Sequence, residues 1–248
     1  MNFIEIIEHH VLDHPVITFT VKNIQLSITK HLVMMFIAGL LMAILFGLIP
    51  RFNNNISRKF RILLEMFILF VRDEILVPVL GDLGRKFTPY FLTLFFFILF
   101  CNLLGMVPFG ATATGNISVT GGLAVSSLVL IVYCGVKYQG LFSYIKNFVP
   151  AGVPWWIVPV LLPIEVFGLF TKAFALCIRL FANMIAGHIV ILAFIGLIFL
   201  FGSVIIAPIS VITDIALSLL EIFIAFLQAY IFTLLTAIFL GASVKPEH

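Results

Sequence analysis

The sequence predicts an all-α integral membrane protein, and three observations carry that prediction. Of 248 residues, 62% are hydrophobic and only 10% charged, against roughly a quarter charged in an ordinary soluble domain. Mean hydropathy is +1.25, which leaves too little polar surface to cover a soluble fold. Five apolar stretches reach the roughly 20 residues a helix needs to cross a bilayer.

The elements follow in order. Residues 1–28 begin MNFIEIIEHHVLDHPVI and lack the basic start and long apolar centre of a cleaved signal peptide. They read as an outer-side N-terminal segment, interfacial or solvated. The first span runs from about His31 to Ile49 and ends at Pro50. Residues 57–80 carry Arg58, Lys59, Arg61, Glu65, Arg72, Asp73 and Glu74 around a short apolar core, Met66 to Val71. That core is too short to cross, so an amphipathic helix on the membrane surface is expected, with a short buried hairpin as the alternative. The second span lies between Pro89 and Pro108 and the third runs from Val119 to Val136. The last two stretches, 160–201 and 204–240, are longer. Some 40 helical residues reach about 60 Å, twice the bilayer core. These helices must tilt, bend or lie partly in the membrane plane. No internal repeat or linker divides the chain, so residues 1–248 form a single membrane domain.

Charge placement predicts the topology. The loop after the first span holds Arg51, Arg58, Lys59, Arg61, Arg72, Arg85 and Lys86. The next loop, ATATGNIS, holds none; Lys137 and Lys146 mark the one after, and Lys245 the tail. Positive loops face the cytoplasm, which puts the N-terminus outside and the C-terminus inside. The net charge of +3 is spread along the chain and forms no nucleic-acid-binding patch. Cys101, Cys134 and Cys177 are far apart in apolar runs and read as plain buried thiols, with neither a disulfide frame nor a metal spacing.

A few charges remain inside the spans. Glu165, Lys172 and Arg179 recur every seven residues and so share one helix face, with Asn183 about 40° away. His188 points nearly opposite. Asp214, Ser218, Glu221 and Gln228 form a second stripe on the last helix. Some of these suit structural roles. Lys172 and Glu165 can snorkel, Gln228 can join helices, and Asp214 fits a solvated end. Arg179 and Glu221 sit deep in apolar runs, where ionisable residues mark ion paths. Arginine keeps its proton and acts as a fixed cation, whereas histidine and glutamate can exchange protons. A proton path needs the second kind of group and a barrier of the first kind. Ala182, Ala186 and Gly187 thin the helix beside Arg179 and permit close approach of another backbone.

Three segments resemble subunit a of the rotary F-type ATP synthases: PIEVFGLFTKAFALCIRLFANMIAGH (163–188), LLEIFIAFLQAYIFTLLTAIFL (219–240) and TPYFLTLFFFILFCNLLGMVP (88–108). The resemblance covers most of the chain and is weakest over its first twenty residues. It implies a membrane stator facing a ring of c subunits, with the last two helices forming a steeply tilted hairpin against that ring. Arg179 takes the place of the arginine that draws on the ring carboxylate and blocks a direct leak. Asn183 fills the neighbouring polar position. His188 and Glu221 occupy two positions that carry glutamate and histidine in some members, exchanged here between the helices. Gln228 and Asn102 match polar channel sites, and Glu165 an acidic residue near the inner half-channel. The aspartate some members carry after Asn102 is Gly105 here. The uncharged ATATGNIS loop leaves the outer entrance undefined.

The resemblance implies a proton path from outside through Asn102, His188 and Glu221, joined by Ser126 or Ser127, onto a ring carboxylate. The path leaves near Glu165 one revolution later. The implied partners are the c-ring, peripheral-stalk b subunits, the lipid bilayer and translocated H⁺ or Na⁺. No cofactor, metal or covalent catalysis is expected, and a bacterial inner membrane is favoured over an organelle. Two rivals are weighed. A secondary transporter would show repeats and interrupted helices in both halves. An intramembrane enzyme would carry an HExxH or serine–histidine pattern within a span.

Overall fold

The computed structural model describes residues 15–21, 24–48, 55–107, 112–146, 148, 154, 156–201 and 206–244. It opens on an antiparallel hairpin, β1 (Pro15–Val21) paired with β2 (Ile24–Thr29). These strands fall in the stretch expected to be an outer-side segment, interfacial or solvated, with no strand assigned to it. Its alternating ITFT and QLSIT runs have the period of a strand, which explains the hairpin. Residues 1–14 lie outside the described residues.

Among the described residues, seven α-helical segments and the four-residue turn α3 form the body of the fold, and the hairpin packs on the first of them. Helix α1 (Lys30–Ala43) starts on Thr29, whose side chain accepts from the Leu32 N–H, and widens into a π-helical turn over Ile44–Leu48. Helix α2 (Asn55–Leu69) runs through a second π-helical stretch, Phe70–Leu76, into α3 (Val77–Leu80). Gly81 then turns the chain with φ 62°, a conformation that favours glycine. Gly84 lets α3 approach closely, since a Cβ there would lie 2.8 Å from the Leu76 carbonyl oxygen. Helix α4 (Asp82–Gly105) follows, then α5 (Ile117–Gln139), the short α6 (Leu141–Lys146), α7 (Val158–Phe201) and α8 (Ile206–Val244). The fold is all-α in its membrane domain, with five helices long and apolar enough to span.

Two sequence boundaries shift. Helix α4 begins at Asp82, before the expected Pro89, and takes Pro89 inside it at the cost of the backbone bond to the Arg85 carbonyl. The segment 57–80 is not uniformly exposed on one apolar face. Phe60, Ile62 and Met66 face outward, while Val71, Ile75, Leu76 and Leu80 are fully or almost fully buried. They pack with Phe91, Phe95, Phe96, Phe232 and Leu240 in the main core. Phe67 and Phe70 complete this join by stacking against Phe95, Phe96, Phe226 and Tyr230. The second half of the segment is thus a packing element of the protein. Outside its hydrophobic face, Arg72 donates to Asp73 at 2.7 and 2.9 Å and holds that carboxyl below its ordinary range.

The last two helices carry the site. Helices α7 and α8 have 44 and 39 residues, about 66 and 58 Å of helix. Both are continuous over the bounds given. They pack on each other, and α5 packs on both, while α4 packs on α8 and α1 on α4. The three cysteines are buried free thiols.

Candidate functional site

The pairing of α7 with α8 brings the predicted polar residues together in opposite chain order. Asn183 donates to the Gln228 side-chain oxygen at 3.0 Å. Toward one end, Gly187 lies against Glu221: a Cβ on Gly187 would stand 2.9 Å from Glu221 Oε1 and 3.2 Å from its Cδ. Toward the other end, the Lys172 ammonium sits 5.2 Å from the centre of the Phe239 ring. Antiparallel packing of two apolar helices is sufficient to generate this order, since small residues on α7 let the polar side chains of α8 close in.

Glu221 and Gln228 are buried, at 4% and 2% exposure. Asn102 is fully buried on α4. Its amide donates to the Ala225 carbonyl at 3.4 Å, and its oxygen accepts from Thr114 at 2.6 Å. Ala225 lies one turn from Glu221 on α8, so Asn102, Glu221 and Gln228 belong to one polar layer joining α4, α7 and α8. The His188 backbone belongs to α7 next to Gly187; its side chain lies outside the described residues.

Two participants were not singled out from the sequence. Thr114 sits in a buried 3₁₀ turn, Ala113–Gly115, and caps Asn102. His31, at the start of α1, is buried and bonds through Nδ1 to the Thr112 carbonyl at 3.0 Å. Residues 112–114 of the uncharged loop are therefore buried beside Asn102. The threonines in that loop are the signal that the sequence offers, and they carry no charge to mark them. Gly105 belongs to the same packing. A Cβ there would collide with the Thr112 side chain and lie 2.8 Å from its Cα, so an aspartate has no room at this position.

Arg179 faces the other way. It is exposed on the outer side of α7 and makes no hydrogen bond or ion pair among the described residues. It lines a groove of about 530 Å³ with Lys172, Thr171, Ala175, Leu235 and Phe239. Ala175, Ala182 and Ala186 are exposed along the same helix, flanked by the large exposed rings of Phe167, Phe170 and Phe174. Glu165 is half-buried and lines a neighbouring cavity of about 130 Å³ with Gln139, Tyr144, Lys172 and Ser243. The predicted common face of Glu165, Lys172 and Arg179 is thus realised as two adjoining recesses that share Lys172 and Phe239. Ser127 is buried and lines a small recess with Lys172 and Leu176, away from Asn102 and Glu221. Ser126 is exposed and donates to the Leu123 carbonyl. Neither serine joins the Asn102 cluster.

Along α7, Arg179 stands 14 residues after Glu165 and eight before Gly187, about 21 and 12 Å of helix. Arg179 thus stands along α7 between the seat of the buried Glu221 carboxylate and the recess that holds Glu165.

Sequence comparison identifies the family. A family model described as ATP synthase A chain matches residues 32–241. The ATP synthase subunit a of Myxococcus xanthus is 49% identical over 236 residues, covering 91% of this chain and 75% of that protein. That of Chloroherpeton thalassium is 42% identical over 256 residues, covering 96% and 76%. ATP synthase subunit a 2 of Chlorobaculum tepidum is 41% identical over 254 residues, covering 96% and 72%. With a matched model over most of its length and relatives of this identity, the chain belongs to the ATP synthase A chain family and is an integral membrane protein.

Proposed function

We propose that the chain is the ion-conducting stator of an F-type ATP synthase, with no catalytic chemistry of its own. Two offset half-channels reach a ring of c subunits and meet it on opposite sides of Arg179. The outer one runs by Asn102, His188 and Glu221, and the inner one passes Glu165. A proton from outside is handed to a ring carboxylate, which in neutral form can turn through lipid. On its return the carboxylate meets the Arg179 guanidinium, which favours its ionised form and releases the proton to the inner recess. Each proton crossing gains about 2.3 kcal/mol per 100 mV of membrane potential. Asn183 and Gln228 hold the two helices in register beside the arginine.

The observation that carries this reading is the setting of Arg179: exposed, unpaired among the described residues and framed by small and aromatic side chains. An isolated arginine facing hydrocarbon is costly, so an acidic group from a neighbouring protein is its natural partner. The exposed alanines leave room for a partner helix. The lengths of α7 and α8 fit a hairpin inclined steeply across the membrane against that ring. Peripheral-stalk b subunits, a bacterial inner membrane, an outside N-terminus and a cytoplasmic C-terminus complete the proposal, the last two from the positive-loop pattern. The test is Arg179→Ala in the assembled complex. Coupled ATP synthesis should be lost while passive proton conduction persists; coupled synthesis at the normal rate would overturn the assignment.

A further inference from the structure

We propose that the cavity between α1, α2 and α4 is a binding site for one anionic phospholipid, its phosphate held by Arg85 and Arg72 and an acyl chain laid along Phe46, Ile68 and Leu92. The cavity holds about 710 Å³ and is lined by Phe46, Ile68, Arg72, Arg85, Thr88, Pro89, Leu92 and Thr93, within the size range of built small-molecule sites. Its two ends differ in chemistry. The charged lining consists of two arginines with no carboxylate. Asp73, outside the lining, occupies Arg72 through two hydrogen bonds and feels the charge of Arg85 without bonding to it, which leaves Arg85 the guanidinium with open donors. Arg85 is exposed and makes no hydrogen bond or ion pair among the described residues.

Neutral donors are scarce in the same place. The Thr88 hydroxyl donates to the Gly84 carbonyl and the Thr93 hydroxyl to the Pro89 carbonyl. Recognition of an anion therefore falls to the guanidinium groups, whose planar donors match phosphate oxygens. Phe46, Ile68 and Leu92 supply an apolar wall. From Arg85 to Leu92 is seven residues, about 10 Å along the helix. That step carries the lining from the charged start of α4 into its apolar span. A free phosphate would leave the Phe46, Ile68 and Leu92 wall without a partner, whereas a phospholipid satisfies both ends. Occupancy would also tie the end of α1, joined to α4 by the Phe46–Phe96 contact at 5.0 Å, to the α2 segment.

The test uses the intact synthase in nanodiscs carrying photoactivatable phosphatidylglycerol or phosphatidylcholine at equal mole fraction, with labelled peptides mapped by mass spectrometry. Peptides holding Phe46, Ile68 or Leu92 should be labelled at least about tenfold more by the phosphatidylglycerol probe, because the choline cation of phosphatidylcholine, whose phosphate is equally anionic, is repelled by the two arginines. The preference should fall close to unity in Arg85→Gln and survive in Arg85→Lys. Equal labelling by the two lipids in the unaltered complex would overturn the proposal, as would a preference indifferent to Arg85→Gln. Displacement by millimolar inorganic phosphate would assign the site to a free anion instead. Absence of lipid labelling with crosslinks to a neighbouring subunit would assign it to a protein helix. Should Arg85→Gln fail to assemble, the lipid ratio and the phosphate competition in the unaltered complex still decide.

Discussion

Gly187→Ala tests whether the seat of the Glu221 carboxylate governs ion transfer. The added Cβ would stand 2.9 Å from Oε1, where ordinary contact begins at 3.4 Å, so the carboxylate must move by about 0.5 Å. The neighbour is the end of a flexible side chain, and pushing it off its preferred rotamer costs about 0.5–1.5 kcal/mol. Alanine in place of glycine returns about 1 kcal/mol of helix propensity. Thermal stability and assembly should therefore stay within about 1 kcal/mol of the parent. Transfer between fixed groups is far more sensitive to distance, with misplacement of about 1 Å costing up to 10²-fold. A shift of half that size predicts a loss of about tenfold in ATP-driven proton pumping by proteoliposomes. Pumping at the parental rate in Gly187→Ala, with assembly intact, would refute the claim that this contact positions the group.

Two further outcomes follow from the same geometry. Asn102→Ala strips the fully buried link between Thr114 and the Ala225 carbonyl and should cost about 1–3 kcal/mol. Thermal unfolding of the complex reads this directly, and an unchanged midpoint would show the link to be dispensable. The exchange His188→Glu with Glu221→His should retain more proton transport than either single change, because it keeps one acid and one imidazole in the outer path. If the double variant is the slowest of the three, the pairing is wrong.

Membrane character, five spans and the common face of Glu165, Lys172 and Arg179 were legible in the sequence. They depend on composition and on the 3.6-residue period, which any helix in lipid must obey. The motif around Arg179 was legible by resemblance to a family that the comparison then supported. What lies across from each residue was not. That Gly187 seats Glu221, that Thr114 caps Asn102, and that Asp82 rather than Pro89 opens α4 depend on packing between segments far apart in the chain.

The uncharged loop and the segment 57–80 show the same division from the other side. Their composition was plain, yet only the folded chain buries Thr114 at 0% and Val71, Ile75 and Leu76 at 0%. The reason is that periodicity reports which side chains share a face, while close packing decides what that face meets. In a membrane, lipid and protein neighbours are about equally apolar, so hydrophobic pattern does not distinguish them. Shape and hydrogen bonding do, and those exist only once the helices have met.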